Sequence, residues 1–203
     1  MNVFYNKTGV GNVLLVQLTT SRPTNIKLES KGDVTLIQDE ATDEVVGFNL
    51  FNASTYIEID SIGQVDLTEK LVGNIKEALV KNRIDIELNV DFTPKFVIGY
   101  VLKKESHPNA DKLSVCTVDV GSETLQIVCG ASNIAEGQKV VVAKVGAVMP
   151  SGMVIRDAEL RGVESTGMIC SATELSLPNA EAGKGILVLD GNAVVGESFT
   201  SMV

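Results

Sequence analysis

His107-Pro108-Asn109-Ala110-Asp111-Lys112-Leu113, Val128-Cys129-Gly130-Ala131-Ser132-Asn133 and Leu160-Arg161-Gly162-Val163-Glu164-Ser165-Thr166-Gly167-Met168-Ile169-Cys170-Ser171 are three polar islands in this chain. Each stands at the end of an apolar, β-rich run, and each is marked by glycine or proline. A scaffold of strands that carries its polar side chains on loop ends is the usual layout of a binding site, because the strands hold still while the loops vary in chemistry.

Working outward, short strand patterns surround the islands. They cover residues 96–103, 113–120, 124–129, 139–145 and 153–160, and Gly121-Ser122 suits a tight hairpin turn. Residues 139–145 are valine and alanine apart from Lys139 and Lys144, as in a strand buried on both sides. Five strands with uneven Gly/Pro loops predict a small closed Greek-key barrel, most simply an OB-fold. Residues 185–189 offer a further strand. Residues 171–175 suit one helical turn, with Ser171 as cap and Glu174 completing a capping box.

Upstream of Phe92-Thr93-Pro94 the pattern differs. Residues 1–5, 12–19 and 26–29 read as strands, with Gly9-Val10-Gly11 as a turn. Residues 34–38 and 45–51 read as a β-hairpin around the polar cluster 39–43. Leu67, Leu71, Ile75, Ala78 and Leu79 fall on one helical face, which predicts a helix over 66–82. Asp66 and Glu69 form a plausible capping pair, and Asn82 closes the end. The fold class is therefore mainly β: a small α+β domain of unknown role (1–91), then an OB-fold (92–203).

The totals restrict function. With 203 residues and 44% apolar content the chain can bury a core, and no apolar run is long enough to span a bilayer. The N-terminus lacks the features of a signal peptide, so the expected location is the cytoplasm, away from membranes. Cys116, Cys129 and Cys170 form no Cys-x-x-Cys pair and have one histidine for company, which fits buried thiols rather than zinc. No cofactor motif is present, and His107, held extended by Pro108, has no nucleophile elbow to serve. A non-enzymatic binding role follows, with His107 packing or hydrogen-bonding within its loop.

Net charge is −9, which argues against general nucleic-acid binding. Residues 1–94 hold 8 basic against 14 acidic side chains, and residues 95–203 hold 9 against 12. Any RNA contact must therefore use a local basic patch in the second half. Lys103 and Lys104 end the first barrel strand, Lys112 follows on the first island, and Lys139, Lys144, Arg156 and Arg161 lie in or beside later strands. Arg161 has the strongest single case, since its fork suits a phosphate or carboxylate, with an internal salt bridge as the competing role. Asn109 suits a tight loop. Asn133 and Ser165 offer neutral hydrogen bonds to bases or ribose, against caps and turns as the alternative. Few aromatic side chains are available for base stacking, so a folded RNA read by shape, phosphate and ribose fits better than a single strand.

These islands, with Val97-Ile98-Gly99, Val142-Ala143, Gly146-Ala147 and Met149-Pro150, resemble the tRNA-binding domain of the EMAP II type. That domain also occurs near the start of the phenylalanyl-tRNA synthetase β subunit. A short N-terminal domain fused to it is similar to the stand-alone bacterial proteins of the YtpR type. The resemblance implies an OB-fold that binds tRNA without catalysis, and a homodimer. A protein–protein module docking on an aminoacyl-tRNA synthetase is the alternative, with the acidic first domain as its docking surface.

Overall fold

The computed structural model describes residues 1–178, 180 and 185–199. Residues 179, 181–184 and 200–203, part of the expected C-terminal domain, lie outside the described residues. The chain divides into two compact units, Met1–Phe92 and Thr93–Val203.

The first unit is an antiparallel sheet of β1 (Asn2–Tyr5), β2 (Val13–Gln17), β3 (Ile26–Lys31), β4 (Val34–Asp39), β5 (Val45–Phe51) and β6 (Gly63–Gln64), in the order β3-β4-β5-β2-β1-β6. Alternation along the strands sends Val3, Leu14, Leu36, Phe48 and Leu50 to one face. Helix α2 (Glu69–Lys81) belongs to the same core through Leu71, Ile75, Ala78 and Leu79. Its cap is Thr68 rather than the expected Asp66: the Thr68 hydroxyl accepts a hydrogen bond from the Leu71 N–H at 3.1 Å. Leu67 packs against the core, which leaves Asp66 too far out to cap. Asn82 closes the helix as expected, donating from Nδ2 to the Ala78 carbonyl at 2.9 Å. Where a turn was expected at Gly9-Val10-Gly11 there is a single helical turn, α1 (Lys7–Val10). Asn6 Oδ1 caps it, accepting from the Gly9 N–H at 2.9 Å.

The second unit contains β7 (Phe96–Ser106), β8 (Ser114–Asp119), β9 (Thr124–Cys129), β10 (Lys139–Ala143), β11 (Ala158–Leu160), β12 (Val163–Ser165), β13 (Met168–Ile169) and β14 (Val188–Leu189). The main sheet runs β13-β10-β7-β8-β9, and β14 also pairs with β10. The chain ahead of β13 brings the sheet back onto β9. Thr166 N–H donates to the Gln126 carbonyl at 2.9 Å, and Gln126 Nε2 donates to the Glu164 carbonyl at 2.8 Å. These bonds close the OB barrel. Val97, Val101, Val118, Ile127, Val140 and Val142 fill it. Val141 and Ala143 face a second apolar cluster with Met149, Ile155 and Cys170, so β10 is buried on both sides as its composition predicts. Gly99 is required here: a Cβ would lie 2.7 Å from Val142 Cγ2 and 2.8 Å from Val118 Cγ1.

The expected fifth strand, residues 153–160, is corrected. Residues 153–155 fold back on 147–149, with the Ile155 N–H donating to the Ala147 carbonyl at 2.8 Å. Arg156-Asp157 then breaks the alternation, and Ala158–Leu160 pairs only with Val163–Ser165, in a separate ribbon. The strand that completes the barrel is β13, two residues long and hidden inside the third island. Residues 171–175 form a turn rather than a helix, but the capping box is made: Glu174 Oε2 accepts from the Ser171 N–H and hydroxyl, both at 2.7 Å.

All three cysteines are buried and free. Burial pushes the Cys116 thiol up to about 11 and the Cys170 thiol up to about 12, and raises Cys129 as well. We therefore expect a thiol reagent at pH 8 to modify none of them in the native protein and all of them in denaturant. Because the folded-state values lie above the ordinary thiol value of 9.0, this contribution to stability is complete below pH 9 and is lost as pH rises towards 12. Among the described residues no helix is long and apolar enough to cross a membrane.

Candidate nucleic-acid interface

The 107–113 island is the loop between β7 and β8, and the Leu160-Arg161-Gly162-Val163 corner is the two-residue turn between β11 and β12. Two side chains fasten these loops together. His107 is buried, at 5% exposure. Its Nδ1 accepts from the Asn109 N–H at 3.0 Å, so Nε2 carries the proton and donates to the Leu160 carbonyl at 2.9 Å. Asn109 Nδ2 donates to the Arg161 carbonyl at 3.0 Å. The loop is also closed on itself, with the His107 N–H donating to the Leu113 carbonyl at 3.1 Å and the Leu113 N–H to the Ala110 carbonyl at 3.0 Å.

Arg161 and Gly162 have φ of 52° and 85°, the positive pair that a two-residue hairpin turn takes up. Glycine adopts this backbone freely, whereas arginine does so at a cost of about 1 kcal/mol or more. The residue held there is a cation with its side chain in solvent. Lys112 is also exposed, on the loop fastened to that turn. Among the described residues, Lys112 and Arg161 have no ion pair and no side-chain hydrogen bond within the unit. Glu159 and Glu164 stand directly opposite each other in the ribbon behind the turn, so an approaching anion finds favourable charge at the tips and not along the strands.

The other expected site residues lie in different surroundings. Lys103 pairs with Glu105 at 2.9 Å, both exposed, an interaction a phosphate can displace at little expense. Lys104 Nζ donates to the Ile134 carbonyl at 2.7 Å. Asn133 clamps the chain at 186, donating to the Ile186 carbonyl at 3.0 Å and accepting from the Ile186 N–H at 2.9 Å. Lys144 pairs with Glu123 at 2.8 Å. Arg156 Nη1 donates to the Val154 carbonyl at 3.2 Å. Ser165 is 3% exposed, and its hydroxyl accepts from the Val128 N–H at 3.0 Å and donates to the Gly167 carbonyl at 3.2 Å. The contacts thus tie Asn109 to Arg161, with Lys112 three residues further along the same loop, and hold Lys104, Asn133, Lys139, Lys144 and Ser165 in internal bonds. The sequence reading missed that His107 is the fastener between two islands. Its signal is a lone buried-type polar residue facing a glycine turn 53 positions away, a separation no local pattern exposes.

Residues 96–198 match a family described as "Putative tRNA binding domain", and residues 21–91 match one described as "Domain of unknown function (DUF4479)". The chain is 60% identical over 199 residues to the "Putative tRNA-binding protein YtpR" of Bacillus subtilis, covering 98% of this chain and 99% of that protein. It is 50% identical over 123 residues to the phenylalanine–tRNA ligase beta subunit of Campylobacter jejuni, and 57% identical over 113 residues to that of Oleidesulfovibrio alaskensis. Those matches span 59% and 56% of this chain but 16% and 14% of the ligase subunits.

Proposed function

This chain belongs to the tRNA-binding domain family, and from that premise we propose that it binds tRNA without catalysing a reaction on it, gripping the ribose-phosphate backbone of the folded RNA. The observation that carries the reading is a pair of cations, Lys112 and Arg161, without a partner among the described residues, on loops locked together by His107 and Asn109. Cations on prearranged loops meet phosphates without first paying the entropy of ordering, and neutralised phosphates release counterions. Asn109 is spent on the loop tie, so it positions the pair rather than reading a base. Lys103 lies on the strand that feeds the loop and extends the path of backbone contacts once its exposed pair with Glu105 opens. The protein acts in the cytoplasm and as a homodimer.

The test is binding of the purified chain to total tRNA and to a double-stranded DNA control at two salt concentrations. We expect tighter binding to tRNA, weakening steeply with salt. Equal affinity for the two polymers would remove the reading and leave a protein-docking role.

A further inference from the structure

Strand β3 is the outer strand of the first unit's sheet and is exposed along its whole length. Its pairing with β4 is regular through six positions, from Ile26 with Asp39 to Lys31 with Val34. Natural sheets blunt such an edge with proline, a bulge or free lysines. Here there is no proline in the strand and no bulge against β4, and both lysines are already engaged: Lys27 with Asp43, and Lys31 with the Arg83 carbonyl at 2.6 Å. Ile26 and Leu28 lie on the same face as Ile37, 53% and 63% exposed.

Resting on the homodimer reading above, we infer that a second copy of this chain pairs its own Ile26–Lys31 antiparallel to this edge, with Leu28 opposite Leu28 of the partner subunit on a two-fold axis. Backbone polarity and charge both select that register. The Asn25 carbonyl accepts from the Glu40 N–H at 3.1 Å, so Asn25 bonds inward to the β4 side. By the alternation of an antiparallel ladder, Lys27, Glu29 and Lys31 also bond inward, and Ile26, Leu28 and Ser30 turn their N–H and C=O groups outward. Only registers that join these outward residues complete hydrogen bonds. Sliding by two positions one way sets Lys27 against Lys27 of the partner subunit. Sliding the other way sets Glu29 against Glu29 of the partner subunit and Lys27 against Lys31 of the partner subunit. With Leu28 on the axis, Lys27 faces Glu29 of the partner subunit twice over, and Ile26 faces Ser30 of the partner subunit. Opposite charges placed directly across antiparallel strands attract, and like charges there repel. The two sheets become continuous, and Leu28 and Ile37 of both copies share one apolar face.

The experiment is sedimentation of the full chain over a range of concentrations, with three variants. Wild type is expected at twice the chain mass. Glu29→Lys sets lysine against lysine at both symmetric pairs and should raise the dimer dissociation constant about tenfold or more. The double change Lys27→Glu with Glu29→Lys restores opposite charges across the axis and should restore the dimer. Leu28→Pro removes an outward N–H that the single unit does not use, and proline is tolerated at such an edge position, so the variant should fold and run as a monomer. Circular dichroism checks that folding, and Glu29→Lys tests the idea should the proline variant unfold. A monomeric wild type at every concentration overturns both the homodimer and this edge. A dimer that survives Glu29→Lys and Leu28→Pro keeps the homodimer and overturns the edge. tRNA affinity is read separately and decides neither.

Discussion

Replacing Lys112 and Arg161 together by alanine is expected to lower tRNA affinity about a hundredfold at low salt and to flatten the salt dependence by nearly two units, one for each lost phosphate contact. Each charge-assisted hydrogen bond to phosphate contributes about 1.5–3 kcal/mol, so the pair suffices for a loss of that size. The fold should not change. Neither side chain has a partner within the unit among the described residues, and alanine at 161 meets the same positive φ of 52° that arginine already tolerates. Single substitutions should each flatten the slope by about one unit. Filter binding or fluorescence anisotropy across a salt series reads both quantities. A double variant that folds and keeps the wild-type slope would place the phosphate contacts elsewhere on the barrel.

His107→Ala is expected to act differently. It leaves the Leu160 carbonyl without its donor and the Asn109 N–H without its acceptor, at a position 5% exposed. Two unsatisfied groups and a vacated side-chain volume together cost about 3 kcal/mol. Amide hydrogen exchange in the second unit measures that loss, and protection at residues 107–113 should fall most. tRNA affinity should drop about tenfold while the salt slope stays near wild type, because the cations remain and only their ordering is lost. His107→Gln supplies one donor and one acceptor and should recover part of both effects. A fall in slope with His107→Ala would mean that the histidine itself, or a contact it excludes, meets the phosphate.

The barrel was readable because its signals are local. The valine-rich run at 139–145 announced a strand buried on both faces, and the structure places Val140 and Val142 inside the barrel with Val141 and Ala143 against the second cluster. The hairpin at 34–51 and the helical face from Leu71 to Leu79 were equally local, since alternation and a 3.6-residue period each show within a dozen positions. The closing strand was not readable. Met168–Ile169 is too short to carry a period, while the longer run at 153–160 reads as one strand but pairs in two pieces, residues 153–155 against 147–149 and Ala158–Leu160 in a side ribbon. The helix cap lies two residues beyond the one the sequence suggests, because Asp66 and Thr68 are both good caps and the packing of Leu67 on the core chooses between them.

The same division separates the candidate site residues. Residue pattern alone sets the class of protein: a β-rich chain with a short first domain, an OB barrel, polar islands on its loops and a charge too negative for binding without a local patch. Those are properties of composition, period and motif order, which neighbouring residues fix between them. Which cations stand free was decided only in three dimensions. Lys144 and Lys112 look alike along the chain, yet one meets Glu123 across 21 residues and the other meets nothing in its unit among the described residues. Arg161 is set in place by a histidine 54 residues earlier in the chain, through the carbonyl of its neighbour Leu160. Pairings at that separation exist only after the barrel closes, because loop geometry, not sequence proximity, brings the groups within hydrogen-bond distance.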